Sequence, residues 1–85
     1  MSTGIELDLR VDLNTMDETG LPWTFLDDAV RPERVVPGAH IIVGSGEVRA
    51  VAVVVDIDGD IVHVSPVKGS VASNAHLLNP PRSAV

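Results

Sequence analysis

The chain lacks cysteine and tyrosine, and holds one tryptophan and one phenylalanine. Without thiols there is no disulfide framework, no thiolate nucleophile and no zinc–thiolate site. No apolar run approaches the roughly 18 residues that a membrane-spanning helix needs. Basic residues are scarce: six Lys and Arg stand against twelve Asp and Glu, for a formal net charge of −6 over 85 residues. Nucleic-acid binding draws much of its affinity from a basic stripe that neutralises phosphate. No such stripe exists here, and attraction to anionic membranes is disfavoured for the same reason. The expected partners therefore include neither nucleic acid nor membrane. No basic stretch followed by an apolar segment opens the chain, so the expected location is cytoplasmic.

What is present is aliphatic. Residues AVILMFWYC make up 45% of the chain and charged residues 21%. That balance describes a globular chain, and its length allows one small core. The β-branched enrichment points to strands. Charge is uneven along the chain: residues 1–30 carry seven acids against Arg10, whereas residues 31–85 balance five acids with five basic residues. The acidic first third serves solubility, or faces a basic partner.

Residues Ile5-Glu6-Leu7-Asp8-Leu9-Arg10-Val11-Asp12-Leu13 alternate apolar and charged without a break. Period two predicts a strand with one buried face and one wet face carrying Glu6, Asp8, Arg10 and Asp12. Residues 14–38 are irregular, interrupted by Asn14, Asp17, Gly20 and Pro22. Thr15–Glu18 and Thr24–Asp27 have capping-box spacing. The first stops at Gly20 after a turn, and the second predicts a short helix over 25–30, ended by Pro32. Pro37-Gly38 suits a type II turn.

The region from 39 to 67 reads as a meander. Ala39–Val43 is a strand, Gly44–Glu47 a turn, Val48–Ile57 a long strand, Asp58-Gly59 a type I′ hairpin turn and Asp60–Ser65 the returning strand. A two-residue loop at Asp58-Gly59 predicts an apolar face of Val51, Val53, Val55, Ile57, Val62 and Val64. The opposite face then holds Ala50, Ala52, Val54, Asp56, Ile61, His63 and Ser65. That second face is also apolar near its middle, at Ala52, Val54 and Ile61. A soluble monomer seldom leaves such a strip open to water. The expectation is that it is covered either by the loop carrying Trp23, Phe25 and Leu26 or by a second copy of the chain in a homodimer. Ala75-His76-Leu77-Leu78 reads as a last short strand or a helical turn. Residues 1–78 thus form a single small β-barrel domain and residues 79–85 a flexible tail.

No motif assembles a catalytic, cofactor or metal site. Asp56-Ile57-Asp58-Gly59-Asp60 resembles the start of a calcium loop, but Ile61 and Val67 stand where an EF-hand needs Gly and a bidentate Glu. Asp17-Glu18-Thr19-Gly20 has Glu where a retroviral-type aspartic protease has its catalytic Asp. Gly44-Ser45-Gly46 lacks the spacing of a nucleophile elbow or a dinucleotide fingerprint. His40, His63 and His76 lie on separate segments, with no spacing that makes them converge. The residues singled out for partner contact are Trp23, Phe25, Val54, Ile61 and His63. Trp23 either plugs one end of the barrel, which burial energy favours, or serves as a partly exposed anchor, since Trp is enriched at binding hot spots; a half-buried His on a sheet face is a pH-sensitive contact.

The order of strand, long irregular loop, three-stranded meander and short closing segment over residues 5–78 resembles the SH3-like small β-barrels. The resemblance implies a mainly β, partly open barrel of about five antiparallel strands with a long loop and one short helical turn. It carries over no binding residues, because both the aromatic groove of peptide-binding SH3 domains and the basic face of RNA-binding barrels are missing. The function expected is a non-enzymatic protein-interaction module. The alternative is a small-molecule-binding or metabolic accessory protein with a ligand at the barrel mouth.

Overall fold

A computed structural model of the chain describes residues 7–16, 18–46 and 48–78. The aliphatic runs form five strands: β1 (Leu9–Arg10), β2 (Trp23–Phe25), β3 (His40–Gly44), β4 (Ala50–Asp58) and β5 (Ile61–Pro66). Their order is β1-β3-β4-β5-β2. β3, β4 and β5 form the expected antiparallel meander, and β2 adds antiparallel to β5. β1 runs parallel to β3, with Leu9 opposite Val43, so the sheet is mixed rather than wholly antiparallel. A bridge between Leu9 and Ala29 brings the segment after β2 against β1, which curls the sheet into a small, nearly closed barrel.

The barrel interior is filled by Leu9, Val11, Val35, Ala39, Ile41, Val43, Ala52, Val54, Val62 and Val64, with Ile57 and Leu26 packed against them. Each fully buried Val, Leu or Ile contributes about 1.5–3 kcal/mol by leaving water. The inner face of the hairpin differs from the expected one. Gly59 and Asp60 form the turn and Asp58 pairs with Ile61, so the register sits one step beyond the Asp58-Gly59 loop. Among the described non-glycine residues none has positive φ, and Gly59 has φ 61°. Positive φ at the first central residue alone matches a type II′ turn rather than type I′.

A β-bulge between Val54 and Asp56 then adds one residue, Val55, to β4. One extra residue exchanges the two faces of the rest of the strand. Ile57 faces inward beside Val62, but beyond the bulge Ala52 and Val54 point inward in place of Val51, Val53 and Val55. Val55 is 43% exposed and Val54 1%. The apolar strip of Ala52, Val54 and Ile61 is therefore not a surface, since two of its members are core. Val51 is also buried, but on the outer side of the barrel. There it packs with Ile42, Val71 and Leu78 in a second cluster.

That second cluster explains why β4 is apolar on both faces. The closing segment is helical: α1 (Val71–Asn74) runs into a 3-10 turn over Ala75–Leu77 and lies over Ile42 and Val51. Ser70 caps α1, its Oγ accepting from the Ser73 amide at 3.1 Å. The Asn74 side chain ties the helix to its approach by donating to the carbonyls of Lys68 and Ser70.

Two further expectations change. The segment predicted as helix over 25–30 begins as strand β2 and is followed by a 3-10 turn, Leu26–Asp28. Pairing of Phe25 with Ile61 overrides the capping-box pattern, and Thr24 Oγ1 instead donates to Asp28 Oδ2 at 2.7 Å. In the first strand, Leu9 and Val11 are buried and Arg10 and Asp12 exposed, as alternation predicts, but Asp8 is fully buried. The Pro37-Gly38 turn forms as expected, with Gly38 at φ 87° and the Ala39 amide donating to the Val36 carbonyl at 3.0 Å. Ile5, Glu6, Asp17, Glu47 and the tail over 79–85 lie outside the described residues.

Candidate functional site

The outer face of β4, β5 and β2 carries the aromatic residues. Bonds from the Val64 amide to the Pro22 carbonyl and from the Leu26 amide to the Asp60 carbonyl set the β2–β5 register. In that register Trp23 lies opposite His63, Thr24 opposite Val62 and Phe25 opposite Ile61. Val62 and Thr24 are buried, so the alternate residues Trp23, Phe25, Ile61 and His63 share the outward face. The Trp23 and Phe25 rings meet edge to face, with centroids 5.4 Å apart and planes at 85°. This is a favoured geometry for an aromatic pair, and it holds the indole in place while Phe25 stays 51% exposed.

β4 supplies the charge. Asp56 lies opposite His63 and Asp58 opposite Ile61, both on the outward side. His63 Nδ1 sits 2.8 Å from Asp56 Oδ1, with the imidazole mostly buried and the carboxylate mostly exposed. The carboxylate thereby fixes the ring orientation. Between these side chains lies a shallow, open cleft of about 320 Å³ lined by Trp23, Asp58, Ile61 and His63.

Of the residues expected to meet a partner, the structure brings Trp23, Phe25, Ile61 and His63 onto one surface. It removes Val54, which is 1% exposed inside the barrel. Leu26 joins the main core rather than covering an outer strip. Asp58 lines the cleft but is not among the residues expected from the sequence, because Asp58-Gly59 signals a hairpin turn. The Asp56-x-Asp58 alternation was the available signal, since it places both carboxylates on the face that carries His63.

The other motifs stay apart. His40 lies on β3 opposite Val53, and His76 in the final 3-10 turn. Among the described residues no group of three or more His, Asp or Glu is placed to hold a metal ion. Gly44-Ser45-Gly46 is a structural turn: the Val48 amide donates to the Ser45 carbonyl, and Arg49 Nη1 donates to the carbonyls of Gly46 and Val48. No helix among the described residues is long and apolar enough to cross a membrane. No protein-family model, curated protein or solved structure matches the chain.

Proposed function

We propose that this chain is a small non-enzymatic protein-interaction module of SH3-like barrel type, and that it binds through the outer face formed by Trp23, Phe25, Ile61 and His63. The observation that carries the reading is the Trp23–Phe25 pair. The only two aromatic residues of the chain are packed edge to face on the outside of the barrel, with Phe25 half exposed, while the core is filled by aliphatic residues. A rigid aromatic pair beside an open cleft gives a partner a large contact area at little entropic cost. The β3–β4–β5 meander and the long connection before it support the SH3-like assignment. The parallel β1–β3 pair is a departure from an all-antiparallel barrel.

Selection of peptides from a random display library tests the reading. Wild type and Phe25→Ser are immobilised in parallel, with circular dichroism confirming that both are folded. Peptides that bind wild type and lose most of their binding on Phe25→Ser support the surface. Peptides that bind both proteins equally place recognition elsewhere and sink it.

A further inference from the structure

The charge around the cleft indicates what kind of segment it receives. Residues 21–30 and 50–67, which build β2, the 3-10 turn after it, the β4–β5 hairpin and the cleft walls, hold five aspartates and no lysine or arginine. Two of the five are engaged by neighbours: Asp28 accepts from Thr24, and Asp56 meets His63. Asp58 lines the cleft, and its carboxylate makes no hydrogen bond or ion pair with the described residues. An exposed carboxylate, an indole packed against Phe25, the apolar surface of Ile61 and the His63 imidazole, which is paired with Asp56, thus border one open depression.

Resting on the interaction-module reading above, we infer that this cleft receives an arginine side chain from a basic segment of a partner protein. The guanidinium is planar, stacks on an aromatic face and pairs with a carboxylate in a fixed fork. Its aliphatic stem is suited to lie on Ile61. The remaining aspartates complement further basic residues on either side and raise the encounter rate. An acidic segment is repelled by the same charges. A neutral apolar segment satisfies Trp23 and Ile61 but leaves Asp58 beside it partly desolvated and unpaired, which costs affinity.

The chain's one tryptophan sits in the cleft and there is no tyrosine, so intrinsic emission reports on this site alone. The full chain is titrated with a Gly/Ser peptide carrying spaced arginines. A second peptide replaces each arginine with neutral citrulline, and a third carries leucine. The arginine peptide is expected to shift Trp23 emission saturably, and the citrulline peptide to bind about fivefold or more weakly. Asp58→Asn, at an exposed hairpin position, is expected to remove a comparable factor from the arginine peptide while the far-UV spectrum stays unchanged. Equal binding of arginine and citrulline peptides overturns the inference, as does an Asp58→Asn variant that binds arginine undiminished. If only the leucine peptide binds at Trp23, the basic partner is wrong and the interaction surface stands. If Trp23 emission instead changes with protein concentration as sedimentation shows dimers, the occupant is a second copy and the inference fails. If no peptide and no concentration change perturbs Trp23, while library peptides bind wild type and Phe25→Ser alike, both readings fail together.

Discussion

Asp8 and Ile42 are joined by a reciprocal pair of hydrogen bonds: the Asp8 amide donates to the Ile42 carbonyl at 2.8 Å, and the Ile42 amide donates to the Asp8 carboxylate at 2.9 Å. On its other side the Asp8 carbonyl accepts from the amides of Val30 and Arg31. One residue therefore ties β3 to the segment that closes the barrel. In the β3–β4 ladder Ile41 and Val43 point their amides toward β4, which leaves those of Ile42 directed at β1. The Asp8 carboxylate supplies the acceptor where the short parallel ladder of β1 begins.

Removing that acceptor is expected to be costly. Asp8→Ala strands the Ile42 amide in the interior, a loss of about 1–3 kcal/mol. Denaturant unfolding of wild type and variant measures it. An unchanged midpoint would show that Ile42 finds another partner.

The bulge at Val55 makes a prediction about adjacent positions. Val54→Lys places an unpaired charge inside the barrel and is expected to abolish the folded state. Val55→Lys, one residue on, points to water and is expected to stay within about 0.5 kcal/mol of wild type. Circular dichroism with thermal melts compares the two. If Val54→Lys is folded and Val55→Lys is not, the ladder runs without a bulge.

Two glycines are expected to respond differently to alanine. A Cβ on Gly44 overlaps the Val48 carbonyl oxygen, whereas a Cβ on Gly59 meets open space. Gly59→Ala then costs only the left-handed backbone, about 1–2 kcal/mol. Gly44→Ala must also move the β3–β4 turn and is expected to cost more. Ranking the two variants by unfolding midpoint decides it.

The outer cluster is expected to matter as much as the inner one. Leu78→Ala removes a side chain buried against Ile42 and Val51 and should cost about 2 kcal/mol or more. The same substitution in a frayed terminus would cost nothing, so a chemical-denaturation curve separates the two descriptions.

Period-two alternation was enough to place Leu9 and Val11 inside and Arg10 and Asp12 outside. It failed at Asp8, because burial there comes from two flanking segments that lie more than twenty residues away. The meander was legible from its β-branched runs and glycine turns. Its inner face was not, because a bulge is a single inserted residue with no fixed sequence sign, and one residue suffices to exchange the faces. The helical cover over 71–78 did have a local sign in the Ser70 cap, but nothing local says which strands it covers. The site followed the same logic. Trp23, Phe25, Ile61 and His63 share a face because β2 and β5 each alternate cleanly, while Val54 lies on the far side of the bulge and was lost from it.

The position of β4 has a consequence for the life of the protein outside its folded state. Residues Ala50–Val55 run without charge, proline or glycine and are rich in valine, a composition suited to stacked cross-β assemblies. In the folded barrel residues 51–54 are paired with β3 and Ala39 on one side and with β5 and Val67 on the other, so this stretch offers no open template. Its protection is the fold itself. Variants that weaken the seam at Asp8 or the cover at Leu78 are therefore expected to raise the population in which this run is uncovered.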